Sequence, residues 1–390
     1  MKILFNVILI FITAYFAFCA LYIFLYSFAG LFYRNRKYPK ATRFRRFVIL
    51  VPAYKTNQVI EELAQNVLLQ DYPYYDLVII ADSMDDYVVN RLKQMPVKVM
   101  EFADDHRTKA LALNTIMAQL PDNQYDIALI LDADNLIKDK DYLSRLNDAF
   151  DTGLQAIQTH RAAKNTNTPL AVLDAVSEEI NNALFRKGHV VLGFSSSLCG
   201  SAMAFDYKMY QEQMRHISSS GEDKDLEMRL LKNRIRIEYL DDLKVLDEKT
   251  QYANAFVTQR ARWIANQILQ ARNSFGEGFV HLFRGNIDFF DKVIQHFLIP
   301  RIMLLASTFL LTLLAVIFFP APYHYVWTVI FAVTCVSMLI SIPRKMYNMQ
   351  LVRAMLYLPI GALLMFCSLL KVKGAAKKFH ATEHELRYEN

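Results

Sequence analysis

Residues 3–33 carry no charged side chain, a run far longer than the roughly 20 apolar residues a membrane-spanning helix needs. A secretory signal has an apolar core of about 7–15 residues, so this run reads as a retained anchor. Directly after it stand Arg34, Arg36, Lys37, Lys40, Arg43, Arg45 and Arg46, with no acidic residue before Glu61. Short flanking segments rich in Lys and Arg stay on the cytosolic side. The sequence therefore predicts an N-terminus outside and the following domain in the cytosol, with the plasma (inner) membrane as the expected location.

The C-terminal part returns to the membrane. Residues 275–295 mix aromatic residues with Arg284, Asp288, Asp291 and Lys292 and read as an interfacial amphipathic helix. Three apolar segments follow, 297–319, 325–342 and 351–370, the first with Arg301 near its start, where its head can snorkel to the headgroups. Arg344, Lys345 and Arg353 predict a cytosolic loop, and 321–325, free of Lys and Arg, an outer one. A third full span would carry Lys371, Lys373, Lys377 and Lys378 outside, against the charge rule, so either the bias yields or one segment is re-entrant or lies flat. The expected divisions are an anchor (1–33), a basic juxtamembrane segment (34–46), a soluble domain (47–273), an interfacial segment (274–296), a C-terminal membrane region (297–371) and a basic, polar tail (372–390). The net charge of +6 belongs to residues crowded beside apolar stretches, which fits an anionic membrane surface and predicts no nucleic-acid partner. Cys19, Cys335 and Cys367 fall in apolar runs and Cys199 stands alone. No disulfide framework or zinc-ligand spacing results, and the domain reads as facing a reducing compartment.

Between the membrane parts, short apolar runs alternate with helical periodicity. Residues 47–51, 77–80, 97–100 and 127–131 read as strands, the first ending at Pro52; 58–69, 108–119 and 169–187 read as helices. That order predicts an α/β domain with a mainly parallel sheet covered on both faces. The fourth strand delivers Asp132 and Asp134 to its C-terminal end, and residues two apart in a strand share a face. Paired carboxylates at a loop mouth suit a hard divalent cation that carries a diphosphate. The small-residue loop 193–201 either brings backbone close to a ligand or merely connects two elements. Glu222, Asp223 and Asp225 precede a helical run, where acidic residues ordinarily complement the helix dipole.

Taken in order, Val51-Pro52-Ala53-Tyr54, Asp82 after a strand, Asp132-Ala133-Asp134 after a strand, Glu222-Asp223 and Gln259-Arg260-Ala261-Arg262-Trp263 resemble the membrane-embedded family-2 glycosyltransferases. That group includes cellulose, chitin, hyaluronan and poly-N-acetylglucosamine synthases and ceramide glucosyltransferase. The resemblance runs from 47 to 267. It implies a GT-A fold, Rossmann-like with a mainly parallel sheet, and transfer of a sugar from a UDP-sugar. It further implies that Asp82 reads the base, that Pro52, Ala53 and Tyr54 hold the uridine, and that Lys109 lies near the donor. Asp134 would bind Mg²⁺ or Mn²⁺, with Asp132 on the ribose or in the metal shell. Asp223, with Glu222 beside it, would supply the general base, Gln259 and Arg262 would hold the donor diphosphate, and Trp263 would stack on the acceptor sugar. Lys55-Thr56-Asn57, Met84 and Gly221 depart from the usual pattern of the group without removing a proposed catalytic side chain.

Two activities are expected from these residues. The leading one is extension of a glycan by an inverting, metal-dependent polysaccharide synthase, with export or accessory proteins as partners because the expected spans form a small channel. The alternative is a single transfer to a membrane lipid. A transporter would need ionisable residues inside its spans, and those segments are almost free of them.

Overall fold

The computed structural model describes residues 2–103 and 108–373. Alternation along the first strand, β1 (Phe47–Tyr54), sets the architecture: Val48 and Leu50 enter one apolar cluster, while Phe47, Ile49 and Val51 enter another on the opposite face. A strand apolar on both faces must be covered on both. Chain order runs α1 (Lys2–Gly30), β1, α2 (Ile60–Val67), β2 (Tyr75–Asp82), α3 (Asp86–Lys93), β3 (Lys98–Phe102), α4 (Lys109–Gln119), β4 (Ile127–Ile130), β5 (Leu136–Ile137), α5 (Tyr142–Phe150) and β6 (Ala156–Ala163). Then come α6 (Pro169–Asn181), a π-helical turn (Asn182–Gly188), α7 (His189–Val191), β7 (Met203–Asp206), α8 (Tyr207–Met214), α9 (Glu222–Lys232) and β8 (Ile237–Asp247). The sheet order is β3-β2-β1-β4-β7-β6-β8-β5. Its first half is parallel; β7 enters antiparallel to both β4 and β6, and β8 then pairs parallel to β6.

The order β2-β1-β4 makes a topological switch point, and crevices of open α/β sheets lie at the C-terminal ends of the strands there. β1 continues through Pro52 to Tyr54, three residues beyond the expected end. Leu50 is the last residue of β1 in register with β4, and the carbonyl of Leu50, which accepts from Leu131, shows that even-numbered residues point their backbone groups toward β4. Pro52 therefore turns its missing N–H toward a ladder that has already ended, and no bond is lost.

The stretch 275–295 is not one interfacial helix. α10 (Ala253–Phe283) runs into it and ends at Phe283, and a turn with Gly285 at φ 73° leads to α11 (Ile287–Phe297), capped by the Asn286 side chain on Phe289 N. The charges on α11 face inward: Asp288 accepts from Ser195, Asp291 accepts from Tyr22 and Tyr26 of α1, and Lys292 pairs with Glu227. Satisfied partners inside the protein, rather than headgroups, account for its polar residues. Much the same holds for the juxtamembrane cations: Lys40, Arg43, Arg45 and Arg46 pair with Asp148, Asp126, Asp151 and Asp76 of the soluble domain.

Among the described residues three helices are long and apolar enough to cross a membrane: α1, α12 (Arg301–Phe318) and α13 (Tyr323–Ser341). After a short 3₁₀ turn (Arg344–Met346), α14 (Met349–Met355) and α15 (Leu358–Leu370) meet at a 53° bend. Thirteen residues of α15 rise about 20 Å, short of a hydrocarbon core of about 30 Å. The bent pair has the form of one broken span or of a re-entrant segment; Lys377 and Lys378 lie outside the described residues. α1 is fixed to the soluble domain by close backbone approach. A Cβ on Gly188 would stand 2.1 Å from the Tyr26 carbonyl, and one on Gly30 would stand 2.7 Å from that of Ala183. Tyr26 stacks on His189 at 3.7 Å between ring centres.

Candidate active site

The C-terminal ends of β1, β2 and β4 bring Pro52, Ala53, Tyr54, Asp82, Asp132 and Asp134 to the wall of one cavity of about 540 Å³. Parallel register places Tyr54 beside Asp82. Asp82 is buried and accepts from the Ser83 hydroxyl at 2.9 Å. Lys55 and Ser83, which follow the two strands, adopt left-handed backbone (φ 55° and 52°), and Lys55 N donates to the Asp82 carbonyl at 3.1 Å.

Asp132 and Asp134 leave β4 in a turn closed by Asn135, whose side chain accepts from Asp132 N at 3.1 Å and donates to Asp134 at 3.2 Å. Asp134 also accepts from Glu248 N at 3.0 Å. Lys109, the first residue of α4, reaches Asp132 at 2.5 Å, the Gly200 carbonyl at 2.7 Å and Glu222 at 3.5 Å. Burial alone would lower the Lys109 pKa, but Asp132 and Glu222 outweigh it and hold the ammonium charged. Burial pushes the Glu222 carboxyl up; Lys109 opposes that shift and Asp223 adds to it.

The acidic turn that opens α9 divides its work. Asp225 is held by Ser219 and Gln270, the structural role expected of a first helical turn. Asp223 lines the cavity, half-buried, with no side-chain hydrogen bond or ion pair among the described residues. A Cβ on Gly200 would lie 3.8 Å from its Oδ2. In the loop 193–201, Gly200 (φ 88°) presents its carbonyl to Lys109, a conformation that favours glycine.

Gln259, Arg262 and Trp263 reach the same cavity from α10. Gln259 accepts from Thr250 at 3.3 Å. The Arg260 guanidinium lies 4.1 Å from the Trp263 ring centre and pairs with Asp174, so one face of that ring is covered and the side chain is 38% exposed. All the site residues anticipated from sequence therefore line one cavity.

Sequence reasoning missed the rest of the wall. Asp174, Ser177, Glu178 and Asn181 fall on one stripe of α6, and Phe185 continues it on the π-helical turn. That three- and four-residue spacing was legible as a polar face and would ordinarily be taken as solvated. Glu178 receives Arg161 at 2.9 Å and Arg186 at 3.0 Å. Burial would raise its pKa, but Arg161, Lys249 and Arg186 hold it well below the carboxylate range. Beneath α9, Glu227 is bridged by Lys224 (2.9 Å) and Lys292 (2.7 Å). These cations outweigh burial and hold it down to about 2.

Among the described residues no group of three or more His, Cys, Asp or Glu is arranged around a metal position. Two carboxylates at the mouth of β4 nevertheless fit a cation of the Mg²⁺ class, which takes one or two protein carboxylates and completes its shell with substrate phosphates and water. Asp132 and Asp134 would hold it.

A family model for glycosyltransferase-like family 2 matches residues 45–266. Comparison with curated protein sequences returns no match. Among solved structures, the mannosyltransferase PcManGT from Pyrobaculum calidifontis, in complex with GDP-Man and Mn²⁺, superposes with a TM-score of 0.55 at 16% identity, covering 93% of this chain and 97% of that one. Glucosyl-3-phosphoglycerate synthase from Mycobacterium tuberculosis, in complex with Mn²⁺, UDP and glucosyl-3-phosphoglycerate, gives 0.41 at 16% identity over 57% and 78% of the two chains. The first likeness shows the fold over nearly the whole chain, a GT-A domain with its flanking helices. Since the family model spans more than half of the sequence and includes the five site segments, the protein belongs to glycosyltransferase-like family 2.

Proposed function

We propose that the protein is an inverting, metal-dependent transferase that passes a sugar from a UDP-sugar to an acceptor drawn from the membrane. The observation that carries this reading is one cavity holding Asp82, Asp132, Asp134 and Asp223 that extends to Ile299, Arg301 and Met365 at the membrane helices.

Asp82 and the Pro52–Tyr54 turn would bind the base and ribose, a carboxylate accepting well from a ring N–H. Lys109 orients Asp132 and keeps its own charge beside the donor. A divalent cation on Asp132 and Asp134 would supply charge to the departing diphosphate. Arg262, a planar fork of donors, suits the same diphosphate. Asp223 takes the proton from the acceptor hydroxyl as that oxygen bonds to the anomeric carbon. The bond from that carbon to the diphosphate breaks on the opposite face, its electron pair leaving with UDP. An α-linked donor then yields a β-linked product.

The place where the cavity ends, beside the head of α12 and the short α15, favours a membrane lipid as acceptor. The exposed part of Trp263 favours the second reading, extension of a glycan, since an aromatic face suits a sugar ring. The flanking cations favour the cytosolic side for the catalytic domain, and the plasma membrane is the setting proposed here. The test is product analysis of detergent-purified protein given UDP-sugars and GDP-mannose, Mg²⁺ or Mn²⁺ and a membrane lipid extract. One labelled product from a UDP-sugar, soluble in organic solvent and absent in Asp223→Asn, is expected. A polymer ladder would select the second reading, and turnover of no nucleotide sugar would overturn both.

A further inference from the structure

The cavity is unevenly charged. Asp82, Asp132, Asp134, Glu222 and Asp223 gather with Lys109 at one end, whereas the rest of the wall, Arg262 apart, carries seven Lys and Arg side chains against five Asp and Glu among the described residues. Sharing explains part of this excess, since Glu178 and Glu227 each hold two cations within 3.0 Å. Arg301 is different. It donates to Asn181 Oδ1 at 2.5 Å and to the carbonyl and hydroxyl of Ser177 at 3.1 Å, and it makes no ion pair among the described residues. A partly buried guanidinium with only neutral partners, on a wall already rich in Arg, is costly until an anion arrives. Arg301 opens the span α12, and its cavity neighbours Ile299, Pro300, Ile302 and Met365 are apolar. That combination, cationic within and apolar at the rim beside a span, matches a phosphate joined to hydrocarbon.

We propose that this end of the cavity binds the phosphate headgroup of a membrane lipid acceptor, with Arg301 as its principal contact. The inference rests on the acceptor entering from the membrane, as above. A cationic excess of two among the described residues of this wall fits a phosphate dianion better than a single carboxylate. The headgroup held there leaves a hydroxyl of the acceptor to reach Asp223.

The test is binding without turnover. Full-length protein in neutral detergent is titrated with short-chain phosphatidic acid, with the diacylglycerol of the same chains, and with glycerol 3-phosphate, followed by native mass spectrometry. Phosphatidic acid is expected to bind one to one, at least about tenfold tighter than diacylglycerol. Arg301→Gln should weaken it about tenfold or more, and Arg301→Lys, which keeps the charge, by about threefold, consistent with the loss of one charge-assisted contact. Equal binding by wild type and Arg301→Gln, equal loss in both variants, or equal affinity for diacylglycerol would overturn the site. Glycerol 3-phosphate bound as tightly as phosphatidic acid would overturn the membrane source. Wild-type protein that binds phosphatidic acid but turns over no nucleotide sugar would sink the proposed function and leave this site standing; the converse would do the opposite.

Discussion

The acidic end and the cationic end of the cavity are built in opposite ways. The acidic end is made of side chains at element termini: Asp82 closing β2, Asp132 and Asp134 after β4, Glu222 and Asp223 at the head of α9. The cationic end is assembled from β6, α6, α10, α11 and α12, whose Arg161, Asp174, Arg260, Lys292 and Arg301 are far apart in sequence. Local geometry can set the first, because a strand end aims its last residues into a switch-point crevice. Only tertiary packing sets the second. The difference implies that changes at the two ends fail differently, the acidic end in chemistry and the cationic end in stability and acceptor binding.

The largest expected effect is at Asp223. Its carboxylate faces the cavity with no hydrogen bond or ion pair among the described residues, so Asp223→Asn should reduce transfer about 10³–10⁴-fold, the upper range for a general base, with UDP affinity measured by calorimetry unchanged. Retained transfer would place the base elsewhere. Asp134→Ala, or chelation of the wild type, should cost about 10²–10³-fold, in line with the several kcal/mol a catalytic cation contributes. Metal titration of initial rates checks this, and activity indifferent to chelator would remove Asp132 and Asp134 from that role.

At the cationic end the expected loss is in folding. Glu227→Gln leaves Lys224 and Lys292 buried against a neutral group, and breaking such a buried pair costs about 3–5 kcal/mol. A lower melting temperature in detergent, with donor affinity per folded molecule preserved, would sharpen the contrast. A melting temperature like that of the wild type would break it. A smaller effect is linked to pH. Burial lowers the His296 pKa from 6.5 to about 3, so on acidification the unfolded chain binds this proton first. The contribution is whole above pH 6.5 and is lost as pH falls toward 3, roughly 2 kcal/mol of it by pH 5. Thermal melts from pH 7 to 5 should show this slope, and His296→Gln should flatten it.

The same contrast explains what could be read from sequence. The parallel half of the sheet was legible because β1, β2 and β4 are apolar on both faces and closed by Pro, Asp or turn residues. β6, β7 and β8 were not: β6 carries Gln158, Thr159, His160 and Arg161, polar residues whose burial depends on partners such as Asp241 and Glu179. The helix expected at 169–187 loses its α pitch at Asn182, where the close approach of α1 to Gly188 depends on a distant segment. The inward charges of α11 read as an interfacial face because their partners, Ser195, Tyr22 and Glu227, come from three other elements. The acidic site residues were legible as short motifs. Arg301 gave only a snorkelling signal, since its contacts on α6 lie 120 residues or more away.

The most direct test of the central claim, that Asp223 works from the face opposite the leaving diphosphate, is the anomeric configuration of the first product. Purified protein is supplied with an α-linked UDP-sugar and its lipid extract, and the isolated product is examined by proton NMR before any secondary hydrolysis. A β linkage is the predicted result. An α linkage would mean that the sugar kept its configuration, and the placement of Asp223 as an in-line base would be contradicted.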